Sequence, residues 1–137
     1  MPAVYADASA LVKLVSGEPQ SEQLEAYLRD ADLLSSELIL AEVPRALRRI
    51  GSEGPAVALD PLLERAHELL DAVTMAPVET ILLEAAAAIA EPSLRTLDAV
   101  HVVTALYLEP IEAFVTYDIR QAAVARVAGL RTVAPGF

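Results

Sequence analysis

Cysteine is absent from the 137 residues, and aromatic residues make up only 4% of them. Without cysteine the chain has no disulfide bonds, thiolate metal sites or cysteine nucleophiles, which is typical of a reducing compartment. Long apolar runs are also missing, since residues 99–108 fall well short of the roughly 20 apolar residues that span a bilayer. Residues 1–7 read as a strand and not as a secretory signal. We therefore expect a cytoplasmic protein without a membrane segment.

Basic residues are scarce. Ten Lys and Arg stand against 20 Asp and Glu, which gives a formal net charge of −10. The average field of such a protein repels a polyanion such as RNA, so a nucleic-acid function must depend on a local site. An acidic surface that keeps the protein soluble explains most of these charges. A cluster of carboxylates that binds divalent cations would explain the others.

Short apolar strands alternate with longer helical stretches along the chain. The length fits one domain, residues 1–137, that folds without covalent cross-links. We predict strands at residues 3–6, 32–35, 72–75, 114–116 and 131–133, the last at a sheet edge. This order predicts an α/β protein with a central parallel sheet of four to five strands, flanked by helices on both faces.

Proline and glycine leave some helix boundaries open. Pro44 lies inside a predicted helix over residues 37–50, and it either kinks that helix or marks a regular helix that begins only near Val43. Residues 51–55 are predicted to form a surface break. Asp60 followed by Pro61 is typical of an N-cap with proline in the first helical position.

Four acidic residues stand where a ligand site is expected. Asp7 follows the first predicted strand and Asp118 follows the fourth, and parallel strands bind ligands beyond their carboxyl ends. Asp98 and Glu42 interrupt apolar helical segments, where a carboxylate is costly unless it is paired, protonated or bound to a metal. Each acid alone could be a helix cap or a surface residue. Together they predict one shared cation site.

The chemistry of these side chains predicts the ion and the reaction. Carboxylate oxygens without cysteine favour Mg²⁺ or Mn²⁺, which can polarise a phosphodiester and activate a water molecule. Ser9 and Thr116, each two residues from an acid, could bond to a ligating carboxylate, although local capping explains either one equally well. His101 we interpret as a satisfied, half-buried histidine and not as a catalytic base.

Four segments together resemble a known family. They are Asp7-Ala8-Ser9, Glu42 with Arg45-Ala46-Leu47, Thr96-Leu97-Asp98-Ala99-Val100-His101, and Thr116-Tyr117-Asp118 with Arg120. This pattern is similar to that of the PIN-domain ribonucleases, specifically the VapC-type toxins of toxin–antitoxin pairs. The resemblance implies a PIN fold, a Mg²⁺- or Mn²⁺-dependent endoribonuclease, inhibition by a VapB-type antitoxin, and a homodimer.

The same resemblance assigns roles to individual residues. Asp7, Glu42, Asp98 and Asp118 match the acidic quartet that holds the metal and catalyses cleavage, while Ser9 and Thr116 match its polar accessories.

Basic residues near the acidic segments could contact RNA or an antitoxin. Arg45, Arg48 and Arg49 recur at helical spacing, and Lys13 and Arg120 lie within about one turn of the acidic loops. Solvated helix charges are the alternative for these side chains. An acidic cleft would equally accept a basic antitoxin segment that places Arg or Lys among the carboxylates.

Three other functions remain open at this point. A receiver-like phospho-acceptor domain also binds Mg²⁺, but such domains resemble one another in having adjacent acids after the first strand and a late lysine, which this chain lacks. A haloacid-dehalogenase-type phosphatase needs Asp or Thr where Ser9 stands. The third alternative is a non-catalytic PIN scaffold that binds a partner.

Overall fold

A computed structural model describes residues 1–53 and 59–137. The strands in these residues are β1 (Ala3–Ala6), β2 (Asp32–Ser36), β3 (Thr74–Ala76), β4 (Ala113–Val115) and β5 (Thr132–Val133). The helices are α1 (Ala8–Ser16), α2 (Ser21–Leu28), α3 (Ile39–Ser52), α4 (Leu59–Asp71), α5 (Thr80–Ala87), α6 (Thr96–Tyr107) and α7 (Ile119–Val127). None of these helices is long and apolar enough to cross a membrane.

The strands form one parallel sheet in the order β3-β2-β1-β4-β5. β1 is the central strand, with Tyr5 opposite Leu34 of β2 on one side and Phe114 of β4 on the other. The predicted α/β class, parallel pairing and edge position of the last strand are therefore confirmed. Because all strands run the same way, the residues that follow β1 and β4 emerge at the same edge of the sheet.

Helices cover both faces of the sheet, as predicted. Val4 and Ala6 of β1 pack into a core with α1 to α4, whereas Tyr5 points to the opposite face and packs with α6, α7 and Phe114. Successive residues of a strand point to opposite faces, so β1 is buried from both sides and is apolar throughout. α5 packs on α6 through Leu82. The chain thus has one helical layer of α1 to α4 and a second of α5 to α7.

Two predicted boundaries were wrong by a few residues. Ala72 and Val73 donate backbone hydrogen bonds to carbonyls at the end of α4, so they complete a turn and β3 begins only at Thr74. Asp60 is not the N-cap, because α4 is already helical at Leu59 and Asp60 lies in its first turn. Propensity signals place a helix more reliably than they place its ends.

The helix that carries Glu42 begins before Pro44. The Glu42 N–H donates to the Leu38 carbonyl at 3.0 Å, and the helix continues through Pro44 to Ser52. Proline in the second turn removes one backbone donor without ending the helix. Glu42 therefore lies in the first turn of α3, which decides between the two alternatives. The predicted break after residue 50 is partly helical, and its residues Gly54 and Pro55 lie outside the described residues.

Candidate active site

The structure places all four predicted acids around one cleft of about 690 Å³ at the carboxyl edge of the sheet. Asp7 directly follows β1, and Asp118 comes three residues after the end of β4 and is the N-cap of α7. Glu42 and Asp98 lie in the first turns of α3 and α6. Of the four acids, Asp7 lies at the end of the central strand. Glu42 comes from the first helical layer, and Asp98 and Asp118 come from the second.

Asp7 is the most buried and most tightly held of the four. Its side chain is only 3% exposed, and Oδ1 accepts the Ala10 N–H at 3.0 Å as the N-cap of α1. The Ser9 hydroxyl lies 2.8 and 2.9 Å from the two carboxylate oxygens, and the Thr116 hydroxyl lies 2.8 Å from Oδ2. Burial raises the pKa of Asp7, while the bonds from Ala10, Ser9 and Thr116 act in the opposite direction.

Asp98 and Asp118 are more open to solvent. Asp98 is half-buried and Asp118 is exposed, and Asp118 Oδ1 accepts the Gln121 N–H at 3.0 Å. The pKa of Asp98 is raised, first by burial and then by the negative charges of Asp118 and Asp7. Like charges raise each other's pKa only when they are close, so these carboxylates share one electrostatic environment.

Gln121 holds two parts of the site together and was missed as a site residue in the sequence. It is fully buried, its Oε1 lies 2.8 Å from the Thr116 hydroxyl, and its Nε2 donates to the Asp98 carbonyl at 3.2 Å. The single Thr116 proton is shared between Gln121 and Asp7, and the hydroxyl oxygen accepts the Asp118 N–H at 3.1 Å. Its position three residues after Asp118 was a signal, but one that indicates capping as readily.

His101 connects Glu42 to the core beneath the cleft. Its Nε2 lies 2.7 Å from Glu42 Oε1, and its Nδ1 lies 2.7 Å from the Tyr5 hydroxyl. The side chain is satisfied, as expected, but it is only 1% exposed and not half-buried. Tyr5 stacks on Phe114 with the ring centroids 5.4 Å apart, so the aromatic end of this chain of contacts is rigidly packed.

Three arginines line the same cleft: Arg45 and Arg49 of α3, and Arg95 just before α6. Arg48 is exposed and is not part of the cleft lining, while Arg120 lines an adjoining depression of about 350 Å³ together with Arg95. Arg95 was missed in the sequence, although it directly precedes the segment that carries Asp98. Positive charge therefore accompanies the acids on both sides of the cleft.

The structure does not bring Lys13 to the cleft as a free cation, and this part of the prediction was wrong. Lys13 is only 8% exposed, and its Nζ donates to Gln20 Oε1 at 2.9 Å. The same nitrogen lies 3.6 Å from Glu18 Oε1 and 4.5 Å from the centroid of the Tyr117 ring. Its sequence position beside the acidic loop was correct, but the side chain is used to pack α1 against the turn before α2.

The donor set is suited to a hard divalent cation. The acids around the cleft offer only oxygen ligands, and the mutual repulsion that raises the pKa of Asp98 is what a cation would offset. Within residues 1–53 and 59–137, no three His, Asp or Glu side chains stand at metal-ligand spacing.

Comparison with known proteins agrees with this geometry. The sequence model of the PIN domain matches residues 4–127. Among curated proteins of Mycobacterium tuberculosis, the chain is 34% identical to ribonuclease VapC47 over 139 residues and 36% identical to ribonuclease VapC35 over 140, covering 97% of each chain in both cases. It is 37% identical to ribonuclease VapC46 over 137 residues, which covers 98% of this chain and 99% of that one.

Solved structures show the same fold. The M. tuberculosis toxin VapC20, which cleaves the sarcin–ricin loop, superposes with a TM-score of 0.71 at 20% identity, covering 97% of this chain and all of that one. PAE2754 from Pyrobaculum aerophilum gives a TM-score of 0.67 at 21% identity, covering 96% and 91% of the two chains.

Proposed function

Because the chain belongs to the PIN-domain family, among the VapC-type ribonucleases, we propose that it is an endoribonuclease that hydrolyses RNA phosphodiester bonds with Mg²⁺ or Mn²⁺. The observation that carries the proposal is the placement of four carboxylates from the sheet and both helical layers around one cleft. Membership of the family also argues against the receiver-like and phosphatase alternatives.

Asp7, Glu42, Asp98 and Asp118 would hold the metal. A divalent ion there supplies Lewis acidity towards a phosphoryl oxygen and makes water a better nucleophile at neutral pH. Asp7 would be the ligand with the most fixed orientation, because Ser9, Thr116 and the first turn of α1 hydrogen-bond to its carboxylate. The more exposed Asp98 and Asp118 would supply further oxygen ligands to the ion. No side chain has to serve as the nucleophile.

Arg45, Arg49 and Arg95 give the acidic protein a local surface for RNA phosphates. A guanidinium group matches a phosphate with two parallel hydrogen bonds, so three of them around a cleft can fix the backbone of a strand. Contacts to the backbone orient RNA without reading its bases. These arginines resolve the conflict between the net charge of −10 and an RNA substrate.

RNA cleavage in the presence and absence of metal tests the proposal. The wild-type chain should cleave RNA with Mn²⁺ or Mg²⁺, lose cleavage in EDTA, and regain it when the metal is restored. Asp98→Asn should reduce cleavage to background, because it removes a metal ligand and keeps the size of the side chain. Asp71→Asn, the same change at an exposed position at the end of α4, is the matched control and should cleave like the wild type.

Two results would contradict the proposal. Equal cleavage by wild type and Asp98→Asn would indicate a contaminating nuclease. The absence of metal-dependent cleavage with any RNA tested, including ribosomal and transfer RNA, would favour the non-catalytic scaffold.

A VapC-type ribonuclease is expected to have two protein partners, an antitoxin and a second copy of the chain. The acidic cleft suits a VapB-type antitoxin that inserts an Arg or Lys among the carboxylates and so competes with the metal. A homodimer is supported by an apolar depression of about 450 Å³ between the end of α5, α6 and α7, where Val127 is 91% exposed. For an RNA substrate we propose that the protein acts in the cytoplasm.

A further inference from the structure

Beneath the acids of the cleft lies a second layer of bonded side chains from the same elements. Asp7, which lines the cleft, directly follows β1, and Tyr5 of β1 stands two residues earlier, at the spacing that places side chains on one side of an extended chain. α6 supplies Asp98 and, three residues later on the same helix face, His101. Tyr5 and His101 bond to each other, and His101 bonds to Glu42. The acids of the first layer can hold a metal, and the second layer, Tyr5 and His101, contacts one of these acids, Glu42.

The two partners of His101 determine which of its nitrogens carries the proton. A carboxylate can only accept, so Nε2 of His101 carries the hydrogen in the bond to Glu42, and the Tyr5 hydroxyl is placed to donate to Nδ1.

Glu42 depends on that Nε2–H for its orientation. Glu42 lies on α3, which packs on α1 and α4, whereas His101 lies on α6 in the opposite helical layer. Among the described residues, the bond from His101 is the one hydrogen bond made to the Glu42 carboxylate. It occupies Oε1 and leaves Oε2 available at the cleft. A carboxylate held at one oxygen loses less rotational freedom when its other oxygen binds an ion.

We propose that His101 is a positioning residue that orients the Glu42 carboxylate for metal binding, and that Tyr5 sets the imidazole tautomer this requires. The inference rests on the proposed function, because Glu42 needs this orientation only if it binds a metal. His101 itself does not touch the substrate, since both ring nitrogens are bonded and the side chain is 1% exposed. This role differs from that of a general base.

The tautomer can be observed directly by nitrogen-15 NMR of the histidines in the full chain without metal. The sequence has two histidines, and the exposed His67 is an internal reference. His101 should carry hydrogen on Nε2, the nitrogen that faces Glu42. Tyr5→Phe, which keeps the ring and removes the hydroxyl, should increase the Nδ1–H form of His101 and leave His67 unchanged. An Nδ1–H form of His101 in the wild type would overturn the proposal.

Mn²⁺ titration calorimetry tests the consequence for Glu42. His101→Leu should weaken Mn²⁺ binding by about tenfold or more, as for other groups that orient a ligand, and His101→Gln should recover most of the loss because its amide can donate to Glu42. Val102→Ala, an apolar truncation at the neighbouring buried position, is the control for lost stability and should bind Mn²⁺ as the wild type does.

A double-mutant cycle separates positioning from a general structural effect. In a Glu42→Gln background, His101→Leu should cause less than a twofold further loss of Mn²⁺ affinity, because the residue it orients is no longer a carboxylate. Equal effects of His101→Leu in both backgrounds would overturn the proposal. Failure of the wild type to bind Mn²⁺ would instead contradict the proposed function. If His101→Leu does not fold, Tyr5→Phe carries the test with an expected loss of a few-fold in affinity, and no loss overturns it.

Discussion

Asp7 and Asp118 have the same local role as helix N-caps after a strand, but they differ in burial and in the groups around them. Each follows a strand of the parallel sheet, and each caps the next helix with a carboxylate oxygen 3.0 Å from a backbone N–H three residues later. Asp7 is buried, and hydroxyl groups surround its carboxylate, whereas Asp118 is exposed. The reason is position in the sheet, since β1 is central and β4 lies next to the edge strand.

The comparison shows how one local motif can serve two purposes in a single site. A buried carboxylate destabilises the metal-free protein, because burial opposes its charge. The same groups that bury Asp7 also fix the direction of its carboxylate, so burial and rigidity come together at this residue. The exposed Asp118 costs little and stays free to move. A site that closes on an ion needs both kinds of ligand.

The largest expected effect comes from replacing either aspartate. Asp7→Asn and Asp118→Asn should both abolish metal-dependent cleavage, because each removes a charged ligand. They should differ in the metal-free protein: Asp7→Asn removes a buried charge and should raise the Tm by a few degrees, at about 4 °C for each kcal/mol in a chain of this size. Asp118→Asn keeps a residue suited to capping and should leave the Tm nearly unchanged. Differential scanning calorimetry in EDTA measures both.

An equal Tm for the two variants would contradict the comparison. It would mean that the bonds from Ser9, Thr116 and Ala10 fully compensate the burial of Asp7. Two Asn variants at exposed acids, Asp30→Asn and Asp71→Asn, control for the general effect of reducing the negative charge of the protein.

The burial of Asp7 should also affect how the free energy of unfolding depends on pH. The pKa values of Asp7 and Asp98 are raised in the folded state, so between the ordinary value near 4 and the raised values the folded protein binds more protons than the unfolded chain. Their contribution to stability is therefore present at low pH and is lost as pH rises through the raised pKa values. Urea unfolding in EDTA between about pH 4 and pH 7 should show a decline that is smaller in Asp7→Asn.

Saturating Mn²⁺ should reverse this trend, because the ion binds the ionised carboxylates and stabilises the folded state. Parallel pH profiles for wild type and Asp7→Asn without metal would show that Asp7 keeps its ordinary pKa, and the contrast with Asp118 would then be wrong.

The smallest expected effect concerns the arginines. Arg95→Ala should weaken RNA binding by roughly fivefold, the equivalent of about 1 kcal/mol, and should reduce the salt dependence by about one phosphate contact. Arg48→Ala, at an exposed position outside the cleft lining, should change RNA affinity by less than about twofold. Filter binding in the inactive Asp98→Asn background measures both, and equal effects would show that RNA does not enter along Arg95.

Much of the fold could be predicted because its signals are local. Buried parallel strands are short apolar runs, and Gly17 stands directly after α1 in the left-handed conformation that glycine favours, where φ is 70°. The ends of α4 and β3 could not be predicted, since backbone hydrogen bonds that propensity does not specify decide them. The path of the chain through Pro44 also depended on the surrounding turns of α3.

The candidate site likewise has features that local sequence signals predict and features that they do not. The order of strands brought Asp7 and Asp118 to one edge, which a parallel sheet requires. The roles of His101, Gln121 and Lys13 could not be read from the sequence, because each depends on a partner 7 to 59 residues away along the chain. Spacing along a helix indicates which face a side chain occupies, but not which group from another layer it meets there.

We propose that Asp7, Asp98 and Asp118, with Glu42, form one divalent cation site. Crystals of the full chain soaked in Mn²⁺, with diffraction data collected at the manganese absorption edge, test it most directly. We expect an anomalous peak in the cleft within about 2.5 Å of carboxylate oxygens from at least two of these residues. A peak only at other acids of the surface, with the cleft empty at saturating Mn²⁺, would contradict it.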